Sequence, residues 1–416
     1  MFRSHRSLLA LALLPALFLA PMEAAGAVTP AFKAPALVYD VGLSSTGLHP
    51  DGDANCVATG DLNGDGRADL VVARSWPASV NFQPAVSVLL SNAQSTAPTY
   101  LDPAVLRSVG ANPLWVRIAE LTGDNLPDIV ICGQDGTVSV LRNVGLGSFA
   151  PSWDMIHVNA LNRIEAADLN KDGHMDLVAT AAVAGQIDVQ FGFGGTTFSG
   201  VSSYTAGGAA LAIGDVNGDT FPDVVTGGPG ANISVLINNG SGGFSGPTSW
   251  PTANLPMDIM LKDMNGDAKL DVVVAASPDN VIQVHLQTGN ANFAPVNSYT
   301  IAAGEEGPSS LAMGEMDFDG IQELVVGYQN DFGPSRTVGI FKRNGGGVLQ
   351  PPTFYDAGTY ARSIALGDFT GDGLLDVGTA SYADIGATGG YMNMAEVLVN
   401  YSGVLGNANG FSIPGS

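Results

Sequence analysis

Side-chain oxygens recur at positions one, three, five and nine of a nine-residue stretch that appears seven times in the chain. The first copy sets Asp61, Asn63, Asp65 and Asp69 at those positions, the second Glu120, Thr122, Asp124 and Asp128. The third carries Asp168, Asn170, Asp172 and Asp176, the fourth Asp215, Asn217, Asp219 and Asp223. The fifth has Asp263, Asn265, Asp267 and Asp271, the sixth Glu315, Asp317, Asp319 and Glu323, and the seventh Asp368, Thr370, Asp372 and Asp376. A tightly turned loop points alternate side chains inward, so these oxygens converge. Oxygen-only donors at this density suit a hard, flexible cation, and Ca2+ takes about six to eight of them. Position seven, occupied by Arg67 in the first copy and His174 in the third, adds a backbone carbonyl. The expected chemistry is calcium binding, with up to seven ions, one per copy.

Without a cation such loops are costly. Two carboxylates about 4 Å apart repel by roughly 4 kcal/mol at an effective dielectric of ~20. Three in one loop would shift their own pKa values or open the loop. Asx-turns alone would explain a single loop, but not oxygen at the same four positions in all seven. The start of the first copy matches an EF-hand loop, yet Val72 stands where that loop needs its closing Glu, and strand-like runs flank it.

The copies are not equal. Those starting at Asp61 and Asp168 have the full pattern with glycine at position six. The Asp368 copy has Thr370 at position three, and the Asp215 and Asp263 copies place Thr220 and Ala268 at position six, where a positive φ is uncomfortable. The Glu315 copy has four acids but a longer Glu at both ends. The Glu120 copy, with Thr122 and Asn125, ranks last.

Charge singles out the same stretches. The chain has 416 residues, with 39 acids against 16 bases, a net charge of −23. The seven stretches hold 22 of the acids and three of the bases, so most of the negative charge sits in seven short loops. So acidic a chain cannot bind nucleic acid by neutralising phosphates. An apolar fraction of 45% with only 13% charged residues excludes a disordered chain.

Positioning these loops takes a repeated unit. The copies are spaced 47 to 59 residues apart, and a period near 50 points to a solenoid or a propeller. An alternating apolar run precedes each loop and a β-branched run follows it, as in Leu70-Val71-Val72. A turn, a third strand, a Gly/Asn turn and a fourth run near Tyr204, Trp250, Tyr299 or Tyr355 close the unit. Four strands in about 50 residues make a propeller blade. The fold expected is all-β: a seven-bladed β-propeller of four-stranded blades, strands A to D, with the acidic loop between A and B. The N-terminal run 36–41 resembles strand D, while the last unit supplies only A, B and C. The N-terminal strand therefore completes the last blade and leaves no open edge.

Residues 1–27 read as a signal peptide, with Arg3 and Arg6 before an apolar run at 8–20 and a small-residue site at Ala25-Gly26-Ala27. The run is too short to span a bilayer. The expectation is a propeller over 28–402, a tail at 403–416, no membrane span in the mature chain, and a secreted, extracellular or periplasmic location. Export permits a disulfide between Cys56 and Cys132, but two buried thiols are an equal alternative.

The repeats resemble the FG-GAP/VCBS repeats of the integrin α-subunit type of seven-bladed propeller. The resemblance rests on the D-x-N-x-D-G-x-x-D loop, the strand after it (Asp69 onward) and the NNGSGGF turn ending at Phe244, and it covers roughly 32–402. It implies structural Ca2+ in the A–B loops and a ligand surface, usually on the opposite face. Some secreted lectins and carbohydrate-active enzymes share the repeat type, so function must be argued from the site.

On that opposite face the B–C connections of units six, seven and one are long and carry Tyr328, Phe332, Tyr382, Tyr391, Trp76 and Phe82. Closure of the ring makes these units neighbours. This sector is expected to bind a protein or glycan partner; the alternative is that its aromatics pack among themselves. Arg117 and Glu165 hold equivalent strand-A positions in adjacent units and are expected to pair across the channel. There is no HExxH, G-x-S-x-G or P-loop motif. A non-enzymatic interaction module is therefore expected, with a polysaccharide lyase or hydrolase, or a lectin, as alternatives.

Overall fold

The computed structural model describes residues 37–40, 54–74, 84–92, 100–156, 160–181, 185–228, 230–301, 307–329, 337–357, 360–384 and 391–401. The signal segment 1–27 and the tail 403–416 lie outside the described residues.

Seven four-stranded antiparallel sheets form a closed β-propeller. Blade 1 runs through strands A (Ala54–Gly60), B (Asp69–Arg74), C (Ala85–Leu89) and D (Val105–Ser108). Blades 2 to 6 repeat this order, their A strands being Pro113–Ala119, Leu161–Ala167, Ala210–Gly214, Pro256–Lys262 and Pro308–Gly314. Blade 7 has A at Ser363–Gly367, B at Asp376–Asp384 and C at Tyr391–Leu398. Its fourth strand is Leu37–Asp40, paired antiparallel with C from Leu37 opposite Val397 to Asp40 opposite Met394. The first and last described strands thus share one sheet, as expected from the unmatched strands. Tyr39 ties that strand onward to blade 1, its hydroxyl accepting from the N–H groups of Tyr100 (3.2 Å) and Leu101 (3.4 Å).

The β-branched B strands are buried along their whole length because each lies between two neighbouring blades. The core is accordingly divided into clusters that join one blade to the next, such as Val225, Ile233, Val272 and Val274 between blades 4 and 5. Aromatic residues of the C–D turns dock on strand D of the preceding blade: Phe198 on Trp153, Phe244 on Tyr204, Phe293 on Trp250, at 5.3–5.6 Å between ring centroids. Both cysteines are buried and free.

Five A strands carry a register irregularity near their start, as between Ala54 and Cys56 or Pro256 and Asp258. The residue just after it lies five before the acidic loop, and in blades 5, 6 and 7 the residue at this offset accepts a hydrogen bond from the next blade. Asp258 Oδ2 accepts from Leu311 N (2.7 Å), Ser310 Oγ from Ile364 N (3.1 Å), and Ser363 Oγ from Val57 N (3.2 Å). Cys56 is the same slot in blade 1, its thiol donating to Val116 O (3.7 Å). Burial pushes the thiol pKa up, and the free thiol is a contact between blades 1 and 2.

Candidate calcium loops and binding surface

Each acidic loop is wound around its first side chain. Asp61 Oδ1 accepts from the N–H of Gly64 (2.6 Å) and Asp65 (3.1 Å), and Oδ2 from Gly66 (2.8 Å). Asn63 Oδ1 accepts from Asp65 N (2.8 Å), and Asp65 Oδ1 from Arg67 N (2.9 Å). The loops from Asp215 and Asp263 repeat the whole set. The Asp168 and Asp368 loops repeat most of it. The Glu120 and Glu315 loops have less: no bond to the position-six N–H appears there among the described residues.

This winding needs two left-handed residues. Position four has φ from 60° to 85° whether it is Gly64, Lys171 or Phe318. Position six has φ +78° at Thr220 and +65° at Ala268, so the non-glycine copies take the same turn as Gly66 and Gly173. An L-residue there costs roughly 1–2 kcal/mol, part of which glycine's greater freedom in the unfolded chain offsets. Ala268→Gly is therefore expected to raise stability by about 0.5–1 kcal/mol, read as a higher denaturation midpoint. A lower midpoint would show that the strain is not there.

The ninth residue is different in kind. Asp69, Asp128, Asp176, Asp223, Asp271, Glu323 and Asp376 are all buried. One carboxylate oxygen accepts from the position-two N–H, as in Leu62 N to Asp69 (2.6 Å) or Val216 N to Asp223 (3.0 Å). The other accepts from the end of strand C, from Ser91 N (2.6 Å), Asn143 N (2.8 Å), Gly192 N (2.8 Å), Asn238 N (2.8 Å), Gln287 N (2.7 Å) or Asn400 N (2.8 Å). These bonds put the A–B loop and the C–D connection on one face. Burial outweighs the bonds and pushes the carboxyl pKa up, to about 6 at Asp69, Asp176 and Asp223, about 7 at Glu323 and about 8 at Asp376.

A second set of residues, which the repeat pattern alone did not single out, couples loop to loop. Asn143 Nδ2 donates to Leu62 O (2.8 Å), Asn238 Nδ2 to Leu169 O (2.8 Å), Asn400 Nδ2 to Met316 O (2.6 Å) and Arg343 Nη1 to Met264 O (2.6 Å). Gln287 Nε2 binds Val216 O likewise. Position two of one loop is therefore held by its own ninth acid through N–H and by the next blade through C=O. The signal was available: a polar residue fifteen or sixteen positions after the ninth acid in blades 2, 4 and 5.

The donor set fits a hard divalent cation in most copies. In the first loop positions three, five and nine approach one another, Asn63 Nδ2 lying 3.3 Å from Asp65 Oδ2 and 3.5 Å from Asp69 Oδ1, and among the described residues no lysine or arginine pairs with a ninth acid. In the first loop Asp61, Asn63, Asp65, Asp69 and the Arg67 carbonyl would hold the ion, and its positive charge would keep the buried Asp69 ionised. Among the described residues Glu315, Asp317 and Glu323 are the one set of three acids with oxygens all within 4.8 Å of one another; in the other copies the acids of positions one, five and nine stand further apart, with Asn or Thr at position three.

The channel pairing expected from the A strands is present. Arg117 Nε donates to Glu165 Oε1 (2.7 Å) and Arg117 Nη2 lies 2.6 Å from the same oxygen. A more deeply buried link was missed: Arg163 of blade 3 pairs with Asp258 of blade 5, past blade 4, whose residue at the equivalent position is Ala210. The ring of Trp115 takes the Arg163 guanidinium at 4.0 Å and that of Arg117 at 4.8 Å. Asp258 also accepts from Ile259 N (2.9 Å) and Leu311 N (2.7 Å), so one side chain connects blades 3, 5 and 6.

One aromatic of the expected ligand surface is corrected. Tyr328 ends the fully buried strand B of blade 6 (Glu323–Tyr328), is 0% exposed, and packs 5.7 Å from Phe354. It sits where both neighbouring blades cover the strand, so it presents no surface to a ligand. Trp76, Phe82 and Phe332 lie outside the described residues. Tyr382 and Tyr391 belong to the B–C hairpin of blade 7, which pairs out to Asp384 opposite Tyr391. Its strands of nine and eight residues exceed the five and five of blade 4, so this hairpin reaches further than that of blade 4 on the rim opposite the acidic loops.

Fold and loops together define a closed seven-bladed propeller with an acidic A–B turn in every blade. The chain matches the FG-GAP-like repeat over residues 121–179, 215–274, 263–326 and 316–379, and the FG-GAP repeat over 57–89; it belongs to the FG-GAP repeat family. No curated protein matches it. Among solved structures it is similar to an Agrocybe aegerita lectin that recognises non-reducing terminal N-acetylglucosamine, with TM-score 0.50 and 19% identity over 73% of this chain and 80% of that one. It is also similar to BBS1N, solved in complex with ARL6DN, with TM-score 0.52 and 14% identity over 87% of this chain and 97% of that one. At these identities the likeness is one of fold. No helix among the described residues is long and apolar enough to cross a membrane.

Proposed function

We propose that the protein is an exported interaction module in which calcium in the A–B loops rigidifies the wheel and the opposite rim holds a protein or glycan ligand. The observation that carries the calcium reading is the ninth acid: seven times a carboxylate is buried beside other acids, without a cationic side chain bound to it among the described residues. The extended hairpin of blade 7 supports placing the ligand around blades 6, 7 and 1, with Trp76, Phe82, Phe332, Tyr382 and Tyr391 as contacts. A lectin among proteins of this fold makes a glycan a natural first ligand class to test.

The purified protein should be applied to a glycan array and, in parallel, incubated with polysaccharides to look for turnover. Binding without turnover is expected. For a glycan so found, Trp76→Ala or Tyr391→Ala should weaken binding about ten-fold or more, some 1.4 kcal/mol, with the melting temperature unchanged. Full affinity in both variants would move the ligand elsewhere, and turnover would make the protein an enzyme.

A further inference from the structure

The sixth loop is distinguished, among the described residues, by a half-buried ammonium on a fully buried acid of its own. Strand C of blade 6 (Val338–Phe341) is followed by Lys342, whose ammonium Nζ is bonded to Asp317 Oδ2 and lies 3.8 Å from Asp319 Oδ2. The Asp317 side chain is wholly buried, and its oxygens belong to the close set formed with Glu315 and Glu323. The equivalent residues after strand C in blades 1, 3, 4, 5 and 7 are Leu90, Phe191, Ile237, Leu286 and Val399; in blade 2 it is Arg142, which is exposed and, unlike Lys342, makes no ion pair with its loop among the described residues. Lys269 of the fifth loop also meets an acid, Asp267, at 2.7 Å, but both groups are well exposed and the contact is a surface pair that solvent can replace.

We propose that the sixth loop is neutralised by Lys342 in place of a divalent ion, so that this blade closes without calcium while its neighbours depend on it. This rests on the calcium reading of the other loops. A buried carboxylate must be paired, and a covalently tethered ammonium is always at hand, whereas a bound ion leaves when its free concentration falls below its dissociation constant. The same position cannot hold both charges, because an ammonium within a few ångströms of a divalent ion repels it strongly at low effective dielectric. Loop six would then remain shut at calcium concentrations that empty the others, keeping the Met316 carbonyl available to Asn400 of blade 7, the blade where the first and last described strands meet.

Calcium bound per chain should be counted by elemental analysis and calorimetric titration on the full protein, stripped and then refilled with Ca2+. Asp317→Asn is expected to leave the count unchanged, whereas Asp219→Asn in loop four should lower it by one. Lys342→Met is expected to raise it by one. Loss of an ion in Asp317→Asn, or no gain in a folded Lys342→Met, overturns the proposal. If Lys342→Met does not fold, the Asp317→Asn count decides alone. Retained binding by the wild type shows that the calcium reading stands even when this proposal fails. A wild type that binds none removes both.

Discussion

In millimolar EDTA the protein is expected to melt on the order of 10 °C or more below its melting point in millimolar Ca2+. Each ion held by the folded state alone contributes about 2.7 kcal/mol at a hundred-fold excess over its dissociation constant, and several loops act together. The effect should reach beyond the loops, because position two of each is bonded to its own ninth acid and, at five junctions, to the next blade. The pH dependence carries the sign. Without calcium, Asp69, Asp176, Asp223, Glu323 and Asp376 have folded pKa values of about 6 to 8, above the ordinary carboxyl value near 4, and burial pushes Asp128 and Asp271 up as well. Between those limits the folded state binds more protons than the unfolded one, so the stripped protein gains stability as pH falls from 8 toward 5 and loses it as pH rises. Calcium needs the ionised form and reverses that slope. Melting curves at pH 8 and pH 5.5, with EDTA and with Ca2+, test both statements. Identical curves with and without the ion would leave it no structural role.

Asp258→Ala is expected to cost about 3–5 kcal/mol, the range for removing one partner of a buried ion pair. The loss has three parts: the Arg163 guanidinium stays buried against Trp115 without its counter-charge, and the N–H groups of Ile259 and Leu311 lose their acceptor. Asp258→Asn keeps an acceptor and should cost less. By contrast, removing Glu165 leaves Arg117 with a side chain 30% exposed and able to reach water, so Glu165→Ala should cost clearly less than Asp258→Ala. Denaturant midpoints for the three variants order these effects; equal midpoints would mean that the channel pairs do not differ in burial.

Much of this was legible in the residues because it is local or periodic. The acidic turn needs only nine consecutive residues to form its bonds, so its seven copies announce both the loop and the blade count. The unmatched strand at each end gave the closure of blade 7. The Arg117–Glu165 pair followed from equal offsets in adjacent repeats. At position six Thr220 and Ala268 carry the strain expected of them, taking the left-handed turn because the bonds to Asp215 and Asp263 impose it.

What the sequence by itself determined is the repeat: its oxygen donors, its strands, its number and its closed ring, since these depend on spacing along the chain. Only the tertiary structure decided which polar groups meet across blades. It placed Lys342 on Asp317, Arg163 on Asp258 and Asn238 on Leu169, and it buried Tyr328 between sheets. Contacts between residues 25 to 95 positions apart depend on how the sheets are angled around the axis, which is not written in the period of the repeat.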